Sequence, residues 1–245
     1  MGRSGATLAA AVTSAGMIAI PLLRRGSTAR AAVSTVVVGG LATTTTSIVA
    51  PRWGRRRAAV AAAVVGAGTA VVERVGTATG WPFGGYAYTG RLRPAIGGVP
   101  AIVPGAWWAM AVPAREVAHA VLGARSTVAT RVGAGAVALT AWDLFLDPQM
   151  TGEGYWRWAR SGRYRGIPLS NFAGWLLTGA AVMAALDVIL PPGRPDPALV
   201  AQYAGMAAME TLGFAAFFGD RVVAAVGGAV MVPLAAAAVA RLLDG

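Results

Sequence analysis

An all-α polytopic transmembrane bundle of seven or eight spans is the fold class this sequence predicts. Three observations predict it. Hydrophobic residues make up 56% of the chain and charged residues only 13%, about half the charged share of a soluble domain. The mean hydropathy is +0.59. Apolar runs recur along all 245 residues, and a spanning helix needs about 20 mostly apolar residues.

Eight such runs follow in order. Residues 5–23 contain TLAAAVTSAGMIAIPLL, which has the look of a signal peptide; the repeating pattern behind it favours a first membrane helix. Residues 31–50 carry the threonine run 43–46, whose hydroxyls are expected to bond back into their own helix. Residues 58–75 follow the Arg55–Arg57 cluster and end at Glu73 and Arg74. Residues 99–118 are the least regular, with Pro100, Pro104 and Pro113 followed by Arg115, Glu116 and His119, and whether this run spans fully stays open. Residues 127–147 bear Asp143 and Asp147 and are expected to stop at Pro148. Residues 171–190 run into the turn PPGRPDP. Residues 198–218, with Glu210, and 222–243 complete the set. Small residues dominate throughout, which suits close helix packing in lipid. No soluble domain or long linker is visible, so residues 1–245 read as one integral-membrane domain.

The formal charge of +11 comes from arginine alone. In a soluble protein this balance points to nucleic acid. Here the arginines sit in short connections between apolar runs and read as topology signals and headgroup contacts, with no nucleic-acid partner. Counted over eight spans, ten fall on one side and eleven on the other, so orientation stays open. The absence of lysine excludes an internal retinal Schiff base. The absence of cysteine excludes disulfides, thiolate metal sites and a cysteine nucleophile. A single histidine, His119, cannot build the histidine clusters of membrane desaturases. Chemistry must rest on carboxylates, hydroxyls, arginines and aromatics.

Two connections differ from the rest. Residues 76–100 and 147–171 are both rich in glycine, aromatics and arginine, and both are odd connections, which places them on the same side. The third, fifth and seventh runs lead toward that side. At about 1.5 Å per residue, Glu73 lies about 24 Å beyond the Arg55–Arg57 cluster, Asp143 and Asp147 about 18 and 24 Å beyond Arg131, and Glu210 about 20 Å beyond Pro197. Four carboxylates thus reach similar depth beneath the two loops, and Glu153 lies in the second loop itself. Acids at such depth are costly and point to function. Asp143 and Asp147, one turn apart, share a face. Non-helical backbone near membrane depth is tolerated where it lines a cavity, so residues 76–100 are expected to cap one, turning at Gly84 and Gly85. Trp81, Phe83, Tyr86, Tyr88, Trp156 and Trp158 read either as cavity lining or as an interfacial belt. Asp187, beside the proline turn, reads as structural, and His119 with Glu116 as interfacial.

The blocks TGWPFGGYAYTGRL, GGVPAIVPGAWWAM, TAWDLFLDPQM, GYWRW and GIPLSNFAGW, spread over about residues 73–177, resemble the integral-membrane carotenoid biosynthesis family that includes the carotenoid hydratases. The resemblance implies addition of water across the terminal C1–C2 double bond of an acyclic ψ-end carotenoid, giving a tertiary alcohol. It implies no metal and no redox cofactor. The partners it implies are the carotenoid, water, the bilayer and other membrane enzymes of carotenoid synthesis; the implied location is the cell membrane, multi-pass. A neutral carboxylic acid would protonate the alkene, and a carboxyl buried in low dielectric holds its proton near neutrality. An ionised partner would orient water, and aromatic faces would each stabilise the cation by about 0.5–2 kcal/mol. The catalytic candidates are Asp143 and Asp147, then Glu73, with Glu210 and Glu153 as further acids. The substrate-binding candidates are Trp81, Phe83, Tyr86, Tyr88, Arg91, Trp107, Trp142, Tyr155, Trp156 and Asn171. Two rival readings stand beside this one. DLFLD would be half of a magnesium–diphosphate site of a prenyltransferase-like enzyme, with Arg91 and Arg93 on phosphate; a second Asp-rich motif is missing. Alternatively, the acids would form the proton path of a transporter gated by a broken fourth helix.

Overall fold

The computed structural model of the protein describes residues 3–244, and side chains from residue 7 onward except that of residue 125. Among these residues lie eight α-helices: α1 (Arg3–Ala19), α2 (Thr28–Trp53), α3 (Arg55–Thr79), α4 (Ile102–Leu122), α5 (Val128–Gly152), α6 (Leu169–Ile189), α7 (Pro197–Ala216) and α8 (Arg221–Leu243). The helices α2, α3, α6 and α8 are long and apolar enough to cross a bilayer, and Thr7–Leu22 is a shorter apolar run. On that ground the chain is a membrane protein. Several helices start where a side chain caps the free N–H groups: Ser27 for α2, Thr127 for α5, Asp196 for α7 and Asp220 for α8.

The fourth helix is where the sequence left most open. It is unbroken and central, packing against α2, α3, α5, α6, α7 and α8, and every residue from Trp107 to Ala120 is buried. Pro113 has no N–H to give, which frees the carbonyl four residues earlier, that of Ala109. Thr45 Oγ1 of α2 donates to that carbonyl at 3.0 Å and Gln202 Nε2 of α7 at 2.9 Å. The backbone is satisfied by neighbouring helices, as lipid requires. Thr45 therefore departs from the expected back-bonding, which Thr44 and Thr46 do show, to the Gly40 and Ala42 carbonyls. The same device corrects the expected end of α5. The helix runs through Pro148 to Gly152, and the Leu144 carbonyl that Pro148 frees accepts the Tyr164 hydroxyl at 2.8 Å.

Sequence reasoning foresaw no strands, yet the two long connections pair. Strand β1 (Tyr86–Tyr88) and strand β4 (Trp156–Trp158) form an antiparallel ladder with Tyr86 opposite Trp158 and Tyr88 opposite Trp156. Thr89 N–H to the Tyr155 carbonyl and Ala159 N–H to the Gly85 carbonyl extend it. A smaller hairpin, β2 (Ala95–Ile96) with β3 (Val99–Pro100), leads into α4. Side chains alternate across a strand, so Tyr86, Tyr88, Trp156 and Trp158 turn toward the helices while Ala87 and Arg157 are exposed. The loop reaches this position because α6 offers no side chain at Gly174: a Cβ there would stand 2.7 Å from the Phe83 ring and 2.9 Å from the Pro82 backbone. Gly84 turns the chain at φ +103°.

Candidate active site

Three carboxylates meet beneath the ladder. Glu73 comes from the last turns of α3, Asp143 and Asp147 from one face of α5, and all three are buried, at 6%, 0% and 2% exposure. Neutral groups hold them. The Tyr86 hydroxyl donates to Glu73 Oε2, the Tyr88 hydroxyl donates to the same oxygen at 2.7 Å, and Trp107 Nε1 donates to Glu73 Oε1 at 3.2 Å. Burial, and after it the neighbouring Glu73 carboxyl, push the Tyr86 and Tyr88 phenols above their usual range, so both remain donors. Asn171, at the start of α6, donates its amide N–H groups to both aspartates, reaching Asp143 Oδ2 at 2.7 Å and Asp147 Oδ2. Trp156 Nε1 donates to Asp147 Oδ1 at 2.8 Å. Asp143 Oδ1 is buried without a hydrogen-bond partner among the described residues. None of the three acids makes an ion pair among the described residues.

A cavity of about 80 Å³ opens between these groups. That is room for a few water molecules, each needing roughly 10–15 Å³ by this measure. Glu73, Asp147 and Asn171 reach it, and aromatic faces of Phe83, Tyr86 and Trp175 wall it. Asp143 does not line it and lies behind Asp147 and Asn171. Trp175 stacks on Trp107 with centroids 4.0 Å apart, and Tyr86 meets Trp158 at 5.2 Å.

The remaining expected residues are elsewhere. Glu210 and Trp142 line a neighbouring apolar groove; Glu210 is buried and makes no hydrogen bond or ion pair among the described residues. Glu153 is tied to buried Arg30 at 2.7 Å. Arg91 is exposed and donates to the Glu153 backbone carbonyl at 3.0 Å, which joins loop to loop. Tyr155 is buried near these groups but outside the cavity. Trp81 is 63% exposed, on the outer side of α3 and α6. Trp158, weighed between lining and belt, lines the cavity, as do Trp175 and Ser34, which the sequence did not single out. Trp175 was findable, since it follows Asn171 by one turn. At the opposite end of the bundle Asp187 pairs with Arg131 at 2.8 Å, and His119, expected at an interface, is buried with Nε2 3.7 Å from Asp187.

The family model described as "Carotenoid biosynthesis protein" matches residues 12–243. The chain belongs to this family. The chain is also similar to the bisanhydrobacterioruberin hydratase of Haloarcula japonica, 33% identical over 118 residues, which is 47% of this chain and 40% of that protein. The chain thus matches about two-fifths of the length of this curated relative. No solved structure matches the chain. Membership of the carotenoid biosynthesis family fits a cavity of acids and aromatics open toward apolar surroundings.

Proposed function

We propose that the protein is a multi-pass enzyme of the cell membrane, with seven or eight spans and both paired loops on one face, that hydrates the terminal C1–C2 double bond of an acyclic ψ-end carotenoid. The observation that carries the reading is a carboxyl cluster walled by aromatic faces and without an ion pair among the described residues. The relative named above supports it, since its name assigns hydration of a carotenoid.

The steps balance. Asp147, protonated, gives its proton to C2 of the alkene, and the π electrons form the new C–H bond. The positive charge develops at C1, a tertiary centre, where aromatic faces such as those of Tyr86 and Trp175 stabilise it. Water adds its oxygen to C1 and passes a proton to the ionised acid of the cluster. Glu73 suits that second role on geometry: it reaches the cavity, and Tyr86, Tyr88 and Trp107 all donate to it, which leaves its oxygens as acceptors. Asp143 acts through Asn171, which both aspartates share, and is a positioning residue. The product is a tertiary alcohol. A proton returned from Glu73 to Asp147 through water resets the site.

Purified protein in detergent, given a ψ-ended acyclic carotene in H2(18)O, is expected to yield an alcohol carrying one labelled oxygen, with chelator present. Release of diphosphate from a prenyl donor, dependent on added magnesium and without label uptake, would overturn the hydratase reading.

A further inference from the structure

Beside the acid cavity lies a groove of about 440 Å³ between α1, α2, α5 and α7. Its floor is apolar and buried: Val37, Leu41, Trp142 and Met206 are each exposed by 7% or less. Its rim is apolar and open, with Ile18 60%, Leu22 73%, Leu212 62% and Phe217 62% exposed. Ser34, Val38, Leu146 and Met150 line both spaces, so the groove and the acid cavity are separated by no more than these side chains. Met17, Met206 and Met209 add flexible, polarizable surface that adapts to the shape of an occupant.

We infer that this groove seats the polyene chain of an acyclic carotenoid, its ψ end turned past Ser34 and Met150 into the acid cavity. The inference rests on the hydratase reading for the identity of the occupant. The acid cavity holds a few water molecules and takes the reacting end alone, so the rest of a hydrocarbon rod needs an apolar seat continuous with it. A polyene dissolved in the bilayer reaches the open rim without crossing water. Another groove of similar size, about 470 Å³ between α3 and α6, shares no lining residue with the acid cavity and serves as the internal comparison.

Photocrosslinking tests this without turnover. The variants are Met209→p-benzoylphenylalanine inside the groove and Leu212→p-benzoylphenylalanine on its exposed rim, the second tolerant of bulk should the first not fold. Ala181→p-benzoylphenylalanine marks the comparison groove. Each is reconstituted in lipid nanodiscs with a ψ-ended acyclic C40 carotene, irradiated and weighed intact. The expected result is a protein–carotene adduct at position 209 or 212 at least tenfold more abundant than at 181. Lipid adducts alone, or equal carotene adducts at all positions, would overturn the inference and leave the groove to acyl chains. Carotene adducts at 209 or 212 without 18O uptake by the unsubstituted protein would sink the hydratase reading and leave the seat standing. Label uptake without those adducts would do the reverse.

Discussion

At one end of the bundle, Glu116 and Asp187 are set against Arg52, Arg115 and Arg131, with N···O distances of 2.7 to 3.8 Å. At the other end, Glu73, Asp143 and Asp147 are as deeply buried but meet only tyrosine, tryptophan and asparagine donors. Burial is similar and the company is opposite. A guanidinium beside a buried carboxyl cancels its charge, and the pair then fixes helices together. A buried carboxyl with neutral donors has no such partner, and its proton remains available for chemistry. The difference separates acids tied into ion pairs from acids left to neutral donors, and it is to the second group that the proposed chemistry is assigned.

The strongest way to break the comparison is to neutralise one acid at each end. Asp147→Asn keeps size and hydrogen bonding but removes the transferable proton, and general acid catalysis contributes typically 10²–10⁴-fold. Label uptake is expected to fall by at least about a hundredfold with the protein still folded, and Asp147→Glu should retain more activity than Asp147→Asn. Asp187→Asn at the far end should leave the rate within a few-fold. Equal loss at both ends in folded protein would erase the distinction. Near wild-type rates in Asp147→Asn alongside a dead Glu73→Gln would move the proton donor to α3.

Arg115→Leu is the converse test. It leaves Glu116 buried against a lost partner, and breaking such a pair costs about 3–5 kcal/mol. Thermal unfolding in detergent should show that loss, whereas the rate per folded molecule should barely change. Tyr88→Phe removes one of three donors to Glu73. A hydrogen bond to a charged group is worth about 1.5–3 kcal/mol, so turnover should drop by roughly 10- to 150-fold while Tyr86 and Trp107 still hold the carboxyl. The smallest expected effect is Tyr164→Phe, which unpairs the Leu144 carbonyl freed by Pro148. A cost of about 1 kcal/mol in stability, with no change in label uptake, is expected.

Much of this was legible before any coordinates. Long apolar runs mark helices because lipid demands closed backbone hydrogen bonding, and the eight runs are the eight helices of the described residues. The spacing of Asp143 and Asp147 places them on one face, where a single Asn171 amide reaches both. What failed did so for definite reasons. Counting rise along an axis reads depth but not bearing, so Glu210, at the expected level, points into the groove rather than the cluster. Loop residues face in or out by strand register, which no helical count supplies. Thus Tyr86 and Tyr88 turn inward while Trp81, ahead of the strand, lies outside. Glu153 is claimed by Arg30 at the start of α2, more than a hundred residues away in sequence, and no local pattern announces such a pair. Pro113 and Pro148 suggested breaks because their absent N–H groups are visible in sequence, while the side chains that answer them come from other helices.

The β1–β4 ladder joins segments that leave the ribosome far apart in time. When Glu73, Tyr86 and Tyr88 have been synthesised, Trp156, Asp147 and Asn171 do not yet exist. The early half carries one wall of the cavity by itself. The other wall arrives only after α5 has been made and the chain has come back through the second loop to α6. A nascent chain halted before residue 171 therefore carries several finished helices and no finished pocket, so the acid cavity is among the last parts of this protein to form.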